Sequence, residues 1–223
     1  MSPRRLPEWV PARRDTSADG REPPFDPASW SGALITMGVI AALLWIVQIV
    51  NAAHDYSFNR FGLQPRQVDG LWGVLTEPLL HRSYGHMFSD TLPLVAIGWA
   101  LLLSGLRTWL IVTASVLVIS GLAAWLVAPS GLVVGSSALV FGWMAYLLAR
   151  AYFSRKIKWI LTAVLVLFFF GTLLASLLPS FDSNVPWQVH ACGFGAGIVV
   201  GALLHPRGAR RTGSRAPQRP VVS

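Results

Sequence analysis

Residues 188–205 read QVHACGFGAGIVVGALLH, an apolar stretch with one histidine near its start and three glycines spaced four residues apart. The stretch is close to the length of a membrane-spanning helix, which needs about 20 residues. On a helix Gly193, Gly197 and Gly201 share one face, and such small-residue faces let two helix backbones approach closely. His190 projects from the same face. We therefore expect His190 to point into a helix–helix contact and away from lipid.

The composition of the whole chain is that of a membrane protein. Of its 223 residues, 53% are hydrophobic and 13% are charged, with a mean hydropathy of +0.53, whereas soluble domains carry about 25% charged residues. These values exclude a soluble domain, a wholly disordered chain, a collagen, a coiled coil and a nucleic-acid-binding domain. The single cysteine, Cys192, excludes an intrachain disulfide framework and a cysteine-based zinc cluster.

Six apolar segments predict an all-α, polytopic membrane protein with a bundle of six transmembrane helices. The segments cover residues 32–53, 86–104, 108–128, 137–152, 158–178 and 188–205. Residues 54–85 mix charged and bulky apolar side chains, which is typical of a long structured loop at the membrane interface. The chain thus divides into a disordered tail over 1–30, a membrane domain over 31–206 and a basic tail over 207–223.

The positive charges predict the orientation in the membrane. With six crossings and the N-terminus inside, fifteen lysines and arginines fall on the cytoplasmic side, and Arg60, Arg66 and Arg82 fall outside. The positive-inside rule then places both termini in the cytoplasm. We expect the membrane to be the plasma (inner) membrane. We interpret the basic tails as topology signals that also attract anionic lipid, because no folded or aromatic element that would bind nucleic acid accompanies the charge.

Ionisable residues are rare within the spans and are therefore candidates for a functional site. They are His86, Asp90 and His190. The second, fourth and sixth segments run in the same direction, so His86, Ser137 and His190 open them at a similar depth near the external surface. A serine becomes nucleophilic when a nearby base takes its proton, which makes Ser137 and His190 a candidate dyad. His86 and backbone N–H groups around Gly135 would bind the oxyanion.

Other interpretations of these residues remain open. Ser137 is suited to cap a helix N-terminus, and His190 to bond a backbone carbonyl within the packing. His81 is expected to support the loop and not to perform chemistry. A metal site built from these histidines and Asp90 is conceivable, since imidazole and carboxylate suit zinc. No tight ligand motif such as H-E-x-x-H is present, so we expect neither a metal nor an organic cofactor.

Over about residues 32–205 these features resemble the rhomboid family of intramembrane serine proteases. The family opens its fourth helix with a G-x-S-G-like stretch, which reads GSSA at 135–138 here. Its sixth helix carries His-x-x-Gly-x-x-x-Gly, which is present in full at 190–197. The resemblance makes Ser137 the nucleophile and His190 the general base, with Gly193 and Gly197 as helix-packing residues.

The resemblance assigns roles to further residues. The family's second helix carries His-x4-His-x3-Asn, and His81, His86 and Asp90 stand at those positions here. His86, Asp90 and Gly135 are then expected to support the oxyanion site. Phe141 takes the place of an aromatic ring that packs under the histidine, and Trp72 lies in the long loop at the family's Trp-Arg position.

Three positions depart from the family pattern: Gly73 replaces an arginine, Ala138 a glycine and Asp90 an asparagine. The first is expected to affect the loop alone, and the second adds a methyl group beside the oxyanion site. An ionised carboxylate cannot donate a hydrogen bond. Asp90 therefore either carries a proton, or pairs with His86 and leaves oxyanion binding to other groups. Residues 179–187 correspond to the family's cap over the site.

The resemblance implies a serine endopeptidase that cleaves membrane-anchored proteins near the external leaflet. Its partners would be transmembrane protein substrates and the lipid bilayer, with no nucleic acid. The alternative is a catalytically inactive rhomboid-like protein that binds transmembrane helices, for which loss of Ser137 or His190 would be diagnostic, and both residues are present. A small transporter would need polar residues along a path through the bilayer, whereas here they cluster toward the outer side.

Overall fold

A computed structural model describes residues 25–179 and 186–205, and within these ranges the chain is helical, with no strand and one isolated bridge between Leu63 and Val133. The prediction of an all-α protein is confirmed over this part of the chain. The α-helices are α1 Trp30–Ala53, α2 Gly73–Thr76, α3 Tyr84–Leu102, α4 Leu106–Val127, α5 Ser137–Ser154, α6 Ile157–Phe170 and α7 Trp187–Leu204. The two predicted tails and residues 180–185 of the expected cap lie outside the described residues.

Short 3-10 turns lie between or extend these α-helices in the described part of the chain. Ser57–Phe61, Val68–Gly70 and Glu77–Leu79 lie between α1 and α3, and Gly171–Leu177 continues α6. Within the described ranges, four helical stretches are long and apolar enough to cross a membrane: Trp30–Ala53, Leu106–Val127, Ile157–Leu177 and Trp187–Leu204. Helices α3 and α5 are 19 and 18 residues long and fall outside this set, because polar side chains lower their hydropathy.

Helix α5 is the centre of the bundle. Eleven of its eighteen residues are buried, among them Phe141, Trp143 and Tyr146, and it contacts α3, α4, α6 and α7. Large apolar side chains on the outer helices, such as Leu43 on α1 and Phe168 on α6, are exposed instead. Because other helices surround α5, it can carry polar groups that would be costly on a lipid-facing surface.

The backbones of α5 and α7 are in direct contact. A Cβ atom added to Gly193 would lie 2.1 Å from the carbonyl oxygen of Ala138, and one added to Gly197 would lie 2.1 Å from that of Gly142. Real side chains do not approach an oxygen so closely, so the contact requires glycine at both positions of α7. The glycine face of α7 therefore lies directly on α5.

The loop between α1 and α3 is held against the bundle by specific contacts. The backbones of Leu63 and Val133 exchange two hydrogen bonds of 2.9 Å, and Arg66 donates one of 2.6 Å to the carbonyl of Ala128, which follows α4. A Cβ atom on Gly73 would lie 2.2 Å from the N and Cα atoms of Leu63. The departure at Gly73 thus has a packing cause, since no side chain fits between these two parts of the loop.

Glu77 connects this loop to the start of α5. Its side chain is 1% exposed, and its backbone carbonyl accepts a 2.9 Å hydrogen bond from the N–H of Gly135. The carboxyl atom Oε2 has no hydrogen-bond partner among the described residues. Burial raises the pKa of Glu77 to about 8, because the apolar surroundings disfavour the charged form. Glu77 is therefore mostly a neutral acid at neutral pH.

Replacement of Gly197 by alanine is expected to destabilise the folded protein by about 1–3 kcal/mol, because the methyl group overpacks the contact with Gly142. Gly195 on the exposed side of α7 is the matched control, since an added Cβ meets no atom within 4 Å. Alanine at Gly195 is expected to stabilise the helix by up to about 1 kcal/mol. Thermal unfolding in detergent compares the two variants, and equal melting temperatures would contradict the α5–α7 contact.

The pKa of Glu77 predicts a pH-dependent stability. The folded-state pKa of about 8 lies above the ordinary value of 4.5, so the stability that protonated Glu77 contributes is fully present below about pH 4.5 and is lost as the pH rises to about 8. Glu77→Gln, which is neutral throughout, should lack this decline, whereas Asp69→Asn, at an exposed position of the same loop, should keep it. Melting temperatures across this pH range measure the effect. Superimposable wild-type and Glu77→Gln profiles would disprove the buried neutral acid.

Candidate active site

Ser137 and His190 meet at one end of the bundle. Ser137 is the first residue of α5, and His190 lies in the first turn of α7. Because the two helices touch one residue beyond Ser137 and one turn beyond His190, the side chains at their ends face each other. The distance from Ser137 Oγ to His190 Nε2 is 3.0 Å, which is within hydrogen-bond range.

The second nitrogen of His190 determines the direction of this hydrogen bond. His190 Nδ1 lies 3.2 Å from the backbone carbonyl oxygen of Ser176. A carbonyl oxygen only accepts, so Nδ1 carries the proton and donates it. In the neutral ring Nε2 is then unprotonated and accepts the hydroxyl proton of Ser137. This is the tautomer that a general base requires.

The ring of His190 is fixed on its face as well as at its edge. It stacks on Phe141 with a centroid distance of 4.6 Å and an interplanar angle of 25°, which is the arrangement expected for an aromatic residue one turn after the serine. Ser176 was missed from the sequence. It belongs to the 3-10 turn Gly171–Leu177, and a backbone carbonyl can be supplied by any residue type, so no sequence signal marks it.

Gly135 and His86 lie side by side next to the dyad. The backbone of Gly135 has φ +128°, and a Cβ atom there would lie 2.8 Å from Cε1 and 2.9 Å from Nε2 of His86. Both the torsion angle and the close approach require glycine. Ser83 caps α3 by accepting a 3.1 Å hydrogen bond from the N–H of His86, which fixes the start of the helix that carries the imidazole.

Asp90 contacts the residue that precedes Ser137. Its Oδ2 accepts hydrogen bonds from the N–H and the Oγ–H of Ser136, each 3.0 Å long. His81 Nε2 lies 3.3 Å from the same oxygen and His86 Nε2 lies 3.9 Å from it. His81 is therefore closer to Asp90 than His86 is. The sequence alone suggested a pairing of Asp90 with His86 and contained no signal for the contact with His81. The hydrogen bonds of Asp90 run to the residue before the nucleophile.

A cavity of about 230 Å³ joins these groups. Its size suffices for several water molecules, each of which occupies about 30 Å³ in the liquid. Polar side chains from α3, α5 and α7 meet there with apolar ones, and the lining consists of His86, Ser89, Asp90, Pro93, Ser137, Val140, Phe141, Leu173, Ser176 and His190. The cavity thus brings together the predicted nucleophile, base, His86 and Asp90.

The other interpretations of the sequence can be compared with this geometry. The residue that precedes α5 is Ser136, and no side-chain cap comes from that position; the hydroxyl of Ser137 bonds to His190 instead. Among residues 25–179 and 186–205, no group of three or more histidine, cysteine, aspartate or glutamate side chains is arranged to hold a metal ion. The arrangement is that of a serine–histidine pair with a cavity of mixed polar and apolar lining beside it.

Comparison with known sequences identifies the family. The rhomboid domain matches residues 68–207, which is more than half of the chain. Uncharacterized proteins of Mycobacterium tuberculosis and Mycobacterium bovis are each 33% identical over 199 residues, covering 83% of this chain and 83% of their own. One of Mycobacterium leprae is 31% identical over 183 residues, covering 78% of this chain and 72% of its own. These matches confirm the resemblance inferred from the motifs: the chain belongs to the rhomboid family.

Proposed function

We propose that this protein is an intramembrane serine endopeptidase that acts through Ser137 and His190. The observation that carries the proposal is the 3.0 Å hydrogen bond between Ser137 Oγ and His190 Nε2, with His190 Nδ1 held by the carbonyl of Ser176. A serine hydroxyl alone is a weak nucleophile, and an oriented base is what activates it. Membership of a family whose members are usually intramembrane serine proteases supports the same conclusion.

The dyad can perform both halves of peptide hydrolysis. Ser137 Oγ attacks the peptide carbonyl carbon while its proton passes to His190 Nε2, which then gives that proton to the departing amine. An acyl ester on Ser137 remains. A water molecule from the cavity attacks the ester, again losing a proton to His190, and Ser137 Oγ recovers its proton as the acid product leaves.

The oxyanion of each tetrahedral intermediate needs hydrogen-bond donors. His86 lies against the backbone of Gly135 and lines the cavity with Ser137, so its ring is placed to donate. The N–H groups in the first turn of a helix have no acceptor within the helix, and Ser137 opens α5. We therefore assign oxyanion binding to His86 and the N-terminus of α5. The N–H groups of Gly135 and Ser136 do not contribute, because they donate to the carbonyl of Glu77 and to Asp90 Oδ2.

The proposed function includes an arrangement of the helices in the membrane. We propose that α1, α3, α4, α5, α6 with its 3-10 extension, and α7 all cross the membrane, with both termini cytoplasmic and the site near the external leaflet. Ser137 opens α5, whereas Arg150, Arg155, Lys156 and Lys158 lie at its other end and at the start of α6. This asymmetry supports the orientation through the positive-inside rule. Substrates would be membrane-anchored proteins that reach the site from the lipid.

A catalytically inactive protein that binds transmembrane helices is the second candidate. It is favoured by Asp90, a carboxyl at the position of an asparagine that donates to the oxyanion in the family, and by Ala138, whose methyl group lies beside the nucleophile. Such a protein would have the same fold and the same contacts between helices. It would differ in the reactivity of Ser137 alone.

Labelling with a fluorophosphonate probe distinguishes the two candidates. The purified wild type in detergent or liposomes is expected to react at Ser137, whereas Ser137→Ala and His190→Ala should each react at below about 1% of the wild-type rate, because dyad members act as a unit. Ser120→Ala, at a buried serine of α4 outside the cavity, is the matched control and should react as the wild type does. Melting temperatures establish that each variant is folded.

Two results would overturn the protease assignment. A folded wild type that takes up no probe has no activated serine, and the helix-binding function would then be preferred. Equal labelling of wild type and Ser137→Ala would place the reactive group elsewhere in the chain.

A further inference from the structure

Asp90 takes no part in the proton transfers described above, yet its carboxyl accepts hydrogen bonds from Ser136, the residue before the nucleophile. We propose that Asp90 is a positioning residue: from α3 it caps the N-terminus of α5 and, supported by His81, fixes the backbone that presents Ser137. This inference rests on the proposed function and gives Asp90 a role other than donation to the oxyanion.

Helix α5 has no side-chain cap from the residue that precedes it. The first N–H groups of a helix need acceptors from outside it, and a buried end without them is unfavourable. Asp90 Oδ2 supplies the acceptor from the neighbouring helix, through 3.0 Å hydrogen bonds to both the N–H and the hydroxyl of Ser136. Ser136 is 1% exposed, so water does not replace these bonds.

The position of Asp90 suits a negative charge. The N-terminus of a helix carries a partial positive charge that stabilises a nearby carboxylate, and hydrogen bonds to an ionised acceptor are about twice as strong as neutral ones. Whatever the other carboxyl oxygen carries, Oδ2 accepts from Ser136 and is not free to bind an oxyanion. An asparagine could accept the same two bonds through its single carbonyl oxygen, without the charge.

His81 lies next to the same carboxyl oxygen. It is fully buried, and its Nε2 lies 3.3 Å from Asp90 Oδ2. The backbone carbonyl of His81 accepts a 3.4 Å hydrogen bond from Asn59, whose Oδ1 accepts one of 2.9 Å from Asn51 on α1. Hydrogen bonds thus connect the end of α1 through Asn59 to the backbone of His81, whose side chain lies next to Asp90.

Loss of this cap is expected to affect the reaction more than the binding of a reagent. If the first turn of α5 loses its anchor, Ser137 Oγ is no longer held 3.0 Å from His190 Nε2. A displacement of about 1 Å at a reacting atom lowers a rate by about 100-fold. Seven of the ten residues that line the cavity lie outside both Asp90 and the first turn of α5, so the binding of a reagent should change less than its reaction.

A double-mutant cycle in thermal stability tests the cap without relying on activity. Asp90→Ala, Ser136→Ala and the double variant are compared with the wild type in detergent. We expect Asp90→Ala to lower the melting temperature by about 4 °C or more, and the double variant to be no less stable than Asp90→Ala alone, because both changes remove one interaction. Asp90→Asn, which keeps an acceptor, should lie nearer the wild type. Additive shifts would overturn the cap.

Fluorophosphonate kinetics test the positioning role. For Asp90→Ala the saturating labelling rate should fall about 10–100-fold with an unchanged half-saturating concentration, and Asp90→Asn should restore most of the rate. His81→Ala should lower the same rate and add nothing further in Asp90→Ala. Asp69→Asn, at the exposed loop carboxyl, is the control and should react as the wild type does. If Ser136→Ala leaves the rate unchanged while Asp90→Ala abolishes it, Asp90 acts on the reacting atoms without Ser136 and the positioning role is wrong.

The two experiments separate the inference from the proposed function. A wild type that does not label refutes the protease, whereas the stability cycle still shows whether Asp90 and Ser136 are coupled. A wild type that labels, together with an additive stability cycle, refutes the cap and leaves the protease standing.

Discussion

The direct contact between the backbones of α5 and α7 is the constraint on which the rest of the structure depends. Gly193 touches the carbonyl of Ala138, and Gly197 touches that of Gly142. Ala138 follows Ser137, and Gly193 lies one turn after His190, so one of the two close contacts between the helices is beside the two reactive side chains. Any side chain at these glycines would separate the helices and lengthen the 3.0 Å hydrogen bond between Ser137 and His190. The contact between α5 and α7 therefore determines both the packing of the two helices and the distance between Ser137 and His190.

The groups that orient the dyad are suited to a site within a membrane. A buried carboxylate that orients the base would need compensation for its charge, whereas the carbonyl of Ser176 accepts from His190 Nδ1 without adding one. The carboxyl of Asp90, which accepts hydrogen bonds from Ser136, faces the N-terminus of α5, whose partial charge has the opposite sign. Since Ser176 belongs to the 3-10 turn that continues α6, the protonation pattern of the base depends on where that turn lies.

Hydropathy predicted the positions of most helices, and the assumed direction of each crossing predicted which helix ends lie together. The sixth apolar segment, 188–205, coincides with Trp187–Leu204, and the fourth, 137–152, begins with α5 at Ser137. The sequence predicted that Ser137 and His190 meet, because the starts of their helices were placed at the same depth. What could not be predicted depends on the loops. A backbone carbonyl such as that of Ser176 has no residue-type signal, and the burial of Glu77 and the contacts of Asp90 with Ser136 and His81 arise only when the loop packs on the bundle.

The most direct test of this mechanism is the tautomer of His190, measured by the ¹⁵N chemical shifts of its ring in selectively labelled protein, with His190→Gln to assign the signals. At a pH where the ring is neutral, we predict a proton on Nδ1 and none on Nε2, because Nδ1 donates to Ser176 and Nε2 accepts from Ser137. A proton on Nε2 would make His190 a hydrogen-bond donor to Ser137. His190 could then not take the proton of Ser137, and the assignment of the dyad would be contradicted.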